Sequence, residues 1–504
     1  MNIKNKILNF DEIKKFRDKN KKKKIILAHG TFDFFHYGHL LHLKKSKERA
    51  DILVVSITAD NFIKKGINRP IYNQDQRINF LSSINFIDYI VIVKSLSGVE
   101  IIRELKPNYY SKGVEYKKVS KDYTDKIRHE IKELKKYNGK IIYTEEQTLS
   151  SSNIINKLQL NRNNHVSSFQ EKIKKKLTLN KINNYIDRLK NKKILVIGDA
   201  IIDQYIFTSA LSKSPKEEII SVKEEGAKIY LGGIFATANN VSSFVKNVTL
   251  LTILDKENDY FKKIKKQLNK NLKCIFIKDN YNNISIKTRY LDHTNKKLFQ
   301  TNKLSSHLIH NKTENKILEF LKKNIIKYDQ IIVNDFGHGL MTKKIINLLQ
   351  KSPKKLSVNV QTNSANFGFN FFDKYKKCFY LSLDEPEARY GLQDRSCDSE
   401  ILFKKILRKT KSQIISITYG ANGTKVYGQN KLVSIPALSN NVVDSLGAGD
   451  AYFAISSLYS CVDKDPENIG FIGNLVGALK IQYLAHEKYI DRQSLLGYIK
   501  SFLA

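Results

Sequence analysis

Short apolar runs alternate with longer amphipathic stretches in two parts of the chain, and each part opens with a lysine-flanked apolar run that leads into a turn. The first run covers 24–28 and precedes a His-Gly pair, and the second covers 193–197 and precedes a Gly-Asp pair. Such alternation predicts parallel α/β sheets. Further strands are predicted at 52–58, 89–93 and 140–143 in the first part, and at 248–254, 330–333, 355–358 and 413–418 in the second.

The polar stretch 159–191 lies between these two parts, favours helix and carries no strand signal. A chain of 504 residues is too long for one ordinary core, so we expect two or three domains. We place the boundary near residue 165, within about ten residues. The predicted organisation is a first domain at 1–165, a linker at 166–190 and a second domain at 191–504.

Composition predicts a globular chain that folds in the cytoplasm. Hydrophobic residues make up 41% of it, which is enough for several cores, and no stretch of 18 or more residues is free of charge. We therefore expect no membrane span and no membrane partner. The N-terminus mixes charged and apolar residues, unlike a secretory signal. The four cysteines are widely spaced and form no CxxC pair, which argues against disulfides and a cysteine metal site.

The formal net charge of +38 raises the question of a nucleic-acid partner, since a basic surface attracts polyanions. The lysines are spread over the whole chain, however, and no zinc-finger spacing or RNP-like aromatic motif accompanies them. We interpret the charge mainly as solvated surface and do not expect nucleic acid as the main partner. A basic chain nevertheless suits phosphorylated substrates.

A histidine-rich motif, GTFDFFHYGH at 30–39, lies where the first predicted strand passes into a helix. His36 and His39 are three residues apart, so they share one helical face near its first turn. Backbone N–H groups and the helix dipole favour a phosphate there, and the imidazoles can donate hydrogen bonds to its oxygens. Gly38 leaves room for a triphosphate. The motif has no nucleophile, so direct in-line attack on an α-phosphorus fits best. The alternative is two unrelated surface histidines.

This motif resembles the HxGH signature of the nucleotidyltransferase superfamily that includes cytidylyltransferases and the adenylyltransferase of ADP-heptose synthesis. The resemblance extends to Lys65-Gly66 with Arg69-Pro70, to Lys112-Gly113 and to the hydroxyl-rich 150–152. It implies a Rossmann-like domain in which Lys65 is a catalytic cation over the phosphates. An ordinary helix cap is the alternative at 150–152. The resemblance further implies a nucleotide bound by Gly30, Thr31, Phe32, Asp33, Gly38, Arg77, Ser150, Ser151 and Ser152.

The nucleotide base stays open between ATP and CTP. Residues 29–31 read His-Gly-Thr, where the heptose enzymes have Asn-Gly-Cys and where Gly-Thr-Phe-Asp is common in cytidylyltransferases.

A second motif, DSLGAGD at 444–450, precedes an apolar helical run. Small residues at a helix start let backbone N–H groups point at a transferring phosphoryl group. Asp450 then stands where a carboxylate can take the proton of an attacking hydroxyl. Glycine turns before helices are common, so this motif alone is a moderate signal.

The segment that contains this motif, about 190–504, resembles the ribokinase-type (PfkB) sugar kinases. It is most similar to the heptose kinase of ADP-heptose synthesis. That likeness implies a ribokinase-like α/β domain with a small β-lid, ATP with Mg²⁺, and Glu387 as an indirect metal contact. The ATP contacts it implies are Thr418, Gly420, Gly423, Gly447, Ala448 and Gly449. The sugar contacts it implies are Asp199, Asp203, Gly232, Gly233, Lys287 and Arg289, the last two holding a substrate phosphate.

Two of these assignments have ordinary alternatives, because Asp199 could cap a loop and Lys287 with Arg289 could face solvent. The second part also departs from the kinase pattern at four positions. Ala236 and Asp384 each replace an Asn, Ser445 replaces a Thr, and Asn359-Val360-Gln361 replaces Asp-Pro-Lys. An altered sugar explains Ala236, and a weakened kinase would explain all four. We expect an active kinase because Asp450 and its glycines are present.

The sequence therefore predicts a bifunctional enzyme of sugar-nucleotide synthesis. The kinase would phosphorylate the anomeric hydroxyl of a sugar phosphate, by resemblance a heptose 7-phosphate, and the first domain would couple a sugar 1-phosphate to a nucleotide. The resembled bifunctional enzyme has its kinase first, so the domain order here is reversed. Kinases of this type often pair through the lid, which implies a homodimer.

Two alternatives remain. One is a cytidylyltransferase for a small alcohol or sugar phosphate with a sugar-binding, catalytically weak kinase-like module. The other is a basic protein associated with nucleic acid.

Overall fold

The structure is a computed structural model that describes residues 6–63, 69–95, 97–114, 126–144, 164–213, 220–280, 283–305, 308–364, 366–439 and 442–503. The chain forms two compact units. One comprises Met1–Ser167 with Leu496–Ala504, and the other comprises Ser168–Leu495. The predicted site residues Lys65, Ser150, Ser151 and Ser152 lie outside the described ranges. No helix in those ranges is long and apolar enough to cross a membrane.

A parallel sheet forms the centre of the first unit. Its strands are β1 (Ile7–Leu8), β2 (Ile25–Gly30), β3 (Ile52–Thr58), β4 (Tyr89–Val93), β5 (Tyr109–Gly113) and β6 (Lys140–Thr144), in the spatial order β1-β4-β3-β2-β5-β6. The strands predicted at 52–58 and 89–93 are confirmed residue for residue. Every residue of β3 is buried, as expected for a parallel strand covered on both faces. The helices are α1 (Ile13–Lys19), α2 (Tyr37–Lys47), α3 (Gln74–Ser82), α4 (Val99–Leu105) and α5 (Lys126–Lys135).

The strand order of this sheet reverses beside β2. The chain runs outward from β2 through β3 to β4, and then returns to place β5 and β6 on the other side of β2. In open parallel sheets a ligand binds at the carboxyl ends of the strands where the order reverses. The histidine motif follows the carboxyl end of β2, so the topology places it at such a crevice.

The second unit contains a nine-stranded sheet built on the same principle. Its strands are β7 (Lys193–Gly198), β10 (Asn247–Ile253), β11 (Leu272–Ile277), β14 (Gln330–Asp335), β15 (Lys355–Val360), β16 (Tyr380–Asp384), β17 (Ile414–Thr418), β18 (Thr424–Gly428) and β19 (Lys431–Ile435). Their spatial order is β11-β10-β7-β14-β15-β16-β17-β18-β19. The strands from β11 to β17 are parallel, and β18 and β19 are antiparallel. The predicted strands of this part are confirmed to within two residues at each end. The order reverses between β7 and β14.

A separate four-stranded sheet supplies one wall of the second unit's cavity. Its order is β13-β12-β8-β9, where the strands are β8 (Ala200–Lys213), β9 (Ile220–Gly232), β12 (Ser285–Leu291) and β13 (Lys297–Lys303). Register in this sheet pairs Lys287 with Asp203 and Arg289 with Tyr205 on neighbouring strands. The small β-lid implied by the kinase resemblance corresponds to this sheet.

Helix α6 (Asn164–Lys176) contains residues of both units. The helices within the second unit are α7 (Leu179–Leu189), α8 (Gly233–Ser242), α9 (Phe261–Gln267), α10 (Asn311–Asn324), α11 (Lys343–Lys351), α12 (Glu385–Leu392), α13 (Ser399–Thr410), α14 (Ala448–Tyr459) and α15 (Pro466–Lys480). The last helix, α16 (Arg492–Leu503), again contains residues of both units. Side chains of α10, α11 and α13 join those of β7 and β14 in one buried cluster. All residues of α8 and residues 450–459 of α14 are buried, in line with their small and apolar composition all round the helix.

Gly198 ends β7 where no side chain fits. A Cβ built there would lie 2.0 Å from the carbonyl oxygen of Asn334 on the paired strand β14. We expect Gly198→Ala to destabilise the second unit by about 1–3 kcal/mol, because two paired strands would have to separate. A lower midpoint in urea unfolding would show it. The control is Gly226→Ala, because no atom lies within 4 Å of a Cβ there. Equal midpoints for the two variants would contradict the close strand contact.

Candidate active sites, one in each unit

The first unit brings its two predicted histidines together at the start of α2. His36 is the residue that precedes the helix, with extended backbone, and His39 lies in the first turn. Their rings stack with centroids 3.9 Å apart and planes 21° apart. Phe32, which has a left-handed backbone (φ +47°), packs edge-on against His39 with ring centroids 5.3 Å apart. The site therefore joins two imidazoles to the N–H groups of a helix N-terminus, which together suit a phosphate.

Two charged residues predicted to contact nucleotide form the framework of this loop. Asp33 is buried and accepts hydrogen bonds from the Arg69 side chain and, at 2.5 Å, from the backbone N–H of Ile71. Arg77 is buried and donates to the carbonyl oxygens of Thr31 at 2.7 Å and Thr58 at 2.9 Å. These contacts fix the backbone of the motif, and the nucleotide contacts of Asp33 and Arg77 stay predictions.

A buried polar network under the histidine motif was not predicted from the sequence. Glu130 on α5 accepts hydrogen bonds from the backbone N–H of Gly98 at 2.7 Å and from the Tyr110 hydroxyl at 2.9 Å, and its carboxylate lies 3.3 Å from the Lys112 ammonium. Burial raises the pKa of Glu130, but Lys112, His29 and these hydrogen bonds outweigh it, so the pKa lies below its ordinary value. Lys112 also donates to the carbonyl oxygen of His29 at 3.3 Å, which ties β5 to the start of the motif.

His42, one turn after His39, is also absent from the predictions. Its Nδ1 lies 2.7 Å from the Thr144 hydroxyl at the end of β6. Burial and the nearby Lys112 lower the pKa of His42 to about 4, so its imidazole is neutral at physiological pH. The i, i+3 spacing after His39 was the available sequence signal.

In the second unit, Asp450 lies in the first turn of α14 at the wall of a cavity of about 240 Å³. Gly447 precedes the helix with φ +75°, a left-handed backbone that favours glycine. The Gln361 amide donates to the Asp450 carboxylate at 2.8 Å. Burial nevertheless raises the pKa of Asp450 to about 6. A buried carboxylate beside a helix N-terminus is the arrangement predicted for a base next to a phosphoryl site.

The cavity collects most of the residues predicted for the kinase. Residues of the small sheet, the large sheet and α14 line it. The predicted residues among them are Asp203, Gly233, Lys287, Arg289, Glu387, Thr418, Gly447, Gly449 and Asp450. The predicted Asp199, Gly232, Ala448, Gly420 and Gly423 do not line it. Polar side chains that also line the cavity, and to which the sequence assigned no role there, include Asn359, Gln361 and His486.

Asp199 acts as the cap of a loop in this structure. Its carboxylate accepts hydrogen bonds from the backbone N–H groups of Phe336 at 2.9 Å, His338 at 3.2 Å and Leu340 at 3.2 Å. Burial, helped by the adjacent Asp335, raises the pKa of Asp199 to about 6. This geometry corresponds to the loop-capping alternative, and a sugar contact by Asp199 stays a prediction.

Asp203, Lys287 and Arg289 form the polar wall of the small sheet. Arg289 donates to Asp203 at 2.5 Å, so this buried pair compensates its own charge. Lys287 is partly buried, and burial lowers its pKa. Its ammonium lies 5.9 Å from the centroid of the Phe336 ring, and no ion pair to it is formed within the described residues. Among the described residues, Lys287 is thus the cation of this wall that has no ion pair.

Glu387 and Asp384 cap helix α12. The backbone N–H of Glu387 donates to Asp384 at 2.7 Å, and Glu387 accepts the N–H of Asp384 at 2.9 Å and that of Thr362 at 3.2 Å. The replacement of Asn by Asp at 384 keeps this cap. Burial and the nearby Asp384 raise the pKa of Glu387 well above its ordinary value.

No cluster of three or more metal-ligating side chains occurs among the residues that the structure describes. The carboxylate of Glu387 is occupied by the backbone N–H groups of Asp384 and Thr362, so an indirect contact of Glu387 to magnesium stays a prediction.

The turn from β17 to β18 carries the remaining predicted nucleotide residues. Gly420 and Gly423 have φ of +55° and +85°. A Cβ at Gly423 would lie 2.1 Å from the carbonyl oxygen of Ile435, so only glycine fits there. Thr418 ends β17 and lines the cavity, which places this turn at its rim.

Comparison with protein families matches both units. Residues 27–170 match the cytidylyltransferase-like family, and residues 191–487 match the pfkB family of carbohydrate kinases.

Curated relatives include the bifunctional protein HldE of three bacteria. The protein of Aliarcobacter butzleri is 36% identical over 160 residues, which is 31% of each chain. That of Campylobacter concisus is 36% identical over 118 residues, or 23% of this chain and 25% of the relative. That of Helicobacter pylori is 37% identical over 113 residues, or 22% and 24%. The similarity thus spans about a quarter to a third of the length of these relatives.

Among solved structures, a nucleoside kinase of Methanocaldococcus jannaschii is similar at 15% identity and a TM-score of 0.45, covering 62% of this chain and 98% of that one. The Arabidopsis thaliana ribokinase complexed with ribose and ATP is similar at 14% identity and a TM-score of 0.48, covering 62% and 99%. The family match over 191–487 exceeds half of the chain. The chain therefore belongs to the pfkB family of carbohydrate kinases and carries a cytidylyltransferase-like domain before its kinase domain.

Proposed function

We propose that this chain is a bifunctional enzyme of sugar-nucleotide synthesis that uses ATP and Mg²⁺ in its kinase domain. The kinase phosphorylates the anomeric hydroxyl of a sugar phosphate of the heptose 7-phosphate type, and the first domain couples a sugar 1-phosphate to ATP or CTP. The observation that carries this proposal is the cavity in which Asp450 and the start of α14 face the Asp203–Arg289 wall. The bifunctional name of the HldE relatives agrees with it.

The kinase step needs a base, an anion site and an acceptor site. The sugar hydroxyl oxygen attacks the γ-phosphorus of ATP, its proton passes to Asp450, and ADP leaves. Backbone N–H groups at the start of α14 face the transferring phosphoryl group, which Gly447 lets approach. Mg²⁺, when bound with ATP, neutralises charge on the phosphates.

The distal phosphate of the sugar is assigned to Lys287. Its ammonium is partly buried on the same wall as Asp203, so a phosphate would supply the negative charge that its position favours. Arg289 is already paired with Asp203 and would orient that carboxylate towards the sugar hydroxyls.

The transferase step takes place at the start of α2. An oxygen of the sugar 1-phosphate attacks the α-phosphorus of the nucleoside triphosphate, a phosphoanhydride bond forms and pyrophosphate leaves. His36 and His39 donate hydrogen bonds to the oxygens that gain charge in the transition state. Localisation in the cytoplasm and pairing into a homodimer belong to this proposal as well.

A second candidate function keeps the transferase and makes the kinase domain a sugar-binding module. The observation that favours it is Ala236, which is fully buried in α8 and has no polar group to offer a sugar. Such a module would bind a sugar phosphate without turning over ATP.

Substitution of Asp450 distinguishes these candidates. We expect Asp450→Asn to lower the kinase rate constant by about 10²–10⁴-fold, because the attacking hydroxyl loses its base. ADP release with a heptose 7-phosphate measures it. Pyrophosphate release by the first domain serves as the control and should be unchanged. Wild-type protein that binds the sugar phosphate but releases no ADP would favour the binding module.

The kinase rate should also depend on pH through Asp450. Its pKa is about 6, so the carboxylate is protonated below that value and cannot accept the proton. We expect kcat to rise about tenfold per pH unit below pH 6 and to level off above it. The residual activity of Asp450→Asn should lack this inflection. Circular dichroism across the range checks that the fold persists, since Asp199 also has a pKa of about 6.

Substitution of the histidines tests the first domain. We expect His36→Ala and His39→Ala each to lower pyrophosphate release by about 10²–10³-fold, because each removes a donor to the transition state. His129→Ala, at an exposed position of α5, is the matched control. The assay uses ATP and CTP against a panel of sugar 1-phosphates. Full activity in both variants would overturn the first-site assignment, and the preferred nucleotide identifies the base.

A further inference from the structure

The segment that follows α15 passes behind the phosphoryl site and ends at His486, a residue of the cavity wall. His486 is 4% exposed, and its ring lies directly against Gly447, where an added Cβ would be 2.2 Å from the ring carbon Cε1. The imidazole thus fills the space that a glycine leaves at the start of α14. This places it between the phosphoryl site and the sugar-facing Asp203.

The residue before His486 is held in a left-handed conformation from both sides. Ala485 has φ +42°, which is unfavourable for a residue with a Cβ. Its backbone N–H donates to Asp444 at 2.9 Å, and its carbonyl oxygen accepts a hydrogen bond from the Lys480 ammonium. Because both backbone groups of Ala485 are bound by charged side chains, the direction in which His486 leaves the chain is fixed.

Those two charged side chains are themselves anchored. Lys480 is fully buried, and burial lowers its pKa to about 8 against the attraction of Asp444, Asp450 and Asp203. Asp444 also accepts hydrogen bonds from the Tyr205 hydroxyl at 2.8 Å and from the Lys297 ammonium at 2.7 Å. Burying a lysine ammonium is costly unless it is bound, so its hydrogen bond holds the carbonyl group of Ala485 in place.

The two ring nitrogens of His486 differ in their surroundings. Nε2 lies 3.7 Å from the Asp203 carboxylate, whereas Nδ1 is buried and has no hydrogen-bond partner within the described part of the chain. Burial lowers the pKa of His486 to about 4, so the ring is neutral and carries one proton. The carboxylate beside Nε2 favours the tautomer with that proton on Nε2, which leaves Nδ1 as an acceptor.

A hydrogen-bond acceptor can bind only a ligand group that carries a proton to donate. A phosphate oxygen offers no proton at neutral pH and would face the Nδ1 lone pair with another lone pair. A sugar hydroxyl can donate to Nδ1 while it accepts from a neighbouring group. The orphaned nitrogen therefore suits a hydroxyl of the acceptor sugar better than any phosphate of ATP.

We propose that His486 is a specificity-determining residue of the kinase cavity, which accepts a hydrogen bond from a sugar hydroxyl beside Asp450, and that Lys480 and Asp444 position it through Ala485. This inference rests on the proposed kinase function and adds a substrate contact to it. Lys480 acts through Ala485 and is a positioning residue.

A pair of substitutions at 486 isolates the hydrogen bond. His486→Asn keeps an acceptor near the position of Nδ1, whereas His486→Leu keeps bulk and removes the acceptor. We expect His486→Leu to raise the KM of a heptose 7-phosphate about tenfold or more, to leave the KM of ATP within about twofold, and to be largely rescued in His486→Asn. His293→Ala, at an exposed position after β12, is the control.

A double substitution tests the positioning role. If Lys480 acts by holding His486, the effects of Lys480→Met and His486→Leu on the KM of the sugar phosphate are not additive, and the double variant is no worse than the more severe single one. Additive effects would overturn the positioning role. If Lys480→Met does not fold, Asp444→Asn takes its place in the cycle.

Calorimetric binding of the heptose 7-phosphate, with a non-hydrolysable ATP analogue present, separates the two levels of inference. Weaker binding to His486→Leu than to wild type supports the contact even if turnover is absent, and absent turnover would count only against the kinase function. Equal binding and equal KM values in wild type and His486→Leu would overturn the contact and leave the kinase function intact. A selective rise in the KM of ATP would instead place His486 at the nucleotide and refute the proposal.

Discussion

The kinase cavity depends on one constraint, which is that several carboxylates are buried close together. Asp203, Asp444 and Asp450 lie around the start of α14, where desolvation disfavours their charge. A different interaction offsets the cost of burial for each carboxylate. Arg289 pairs with Asp203, and hydrogen bonds from Lys297 and two backbone N–H groups lower the pKa of Asp444 to about 2 despite burial. Asp450 receives a hydrogen bond from a neutral amide, and burial raises its pKa to about 6, so its carboxylate can exchange a proton near neutral pH.

The two units share one framework that suits phosphate binding. In each, a parallel strand beside the point of order reversal leads towards the ligand crevice, and a helix N-terminus offers backbone N–H groups there. The side chains on that framework differ between the two units. In the proposed function, His36 and His39 would donate hydrogen bonds where charge builds on an α-phosphate, whereas Asp450 would act as a base for a hydroxyl. On this proposal the fold supplies the anion site, and the side chains determine which bond is made.

The sequence predicted four strands of the six-stranded sheet and five of the nine-stranded sheet closely, because continuous apolar runs between polar stretches mark buried parallel strands. The regions at 52–58 and 89–93 match the structure residue for residue. The local motifs also predicted part of the residues that line the cavity, but they assigned no role to Gln361 or His486. Contacts between residues that lie far apart in the sequence could not be predicted in this way. Asp199 binds backbone groups about 140 residues away, and the His486 ring lies against Gly447 from a segment after α15, contacts for which sequence spacing carries no signal.

The replacement of lysine by Gln361 is compatible with catalysis by this cavity. A lysine ammonium at hydrogen-bond distance from Asp450 would stabilise the carboxylate and lower its pKa, whereas the amide of Gln361 holds the carboxylate in place and adds no charge. Burial then dominates and the pKa stays at about 6. A carboxylate with that pKa is mostly ionised at neutral pH, yet it takes a proton from a hydroxyl more readily than one with an ordinary pKa. In the proposed kinase, the neutral neighbour would therefore make Asp450 a stronger base while it keeps the carboxylate oriented, so the altered motif is consistent with an active base.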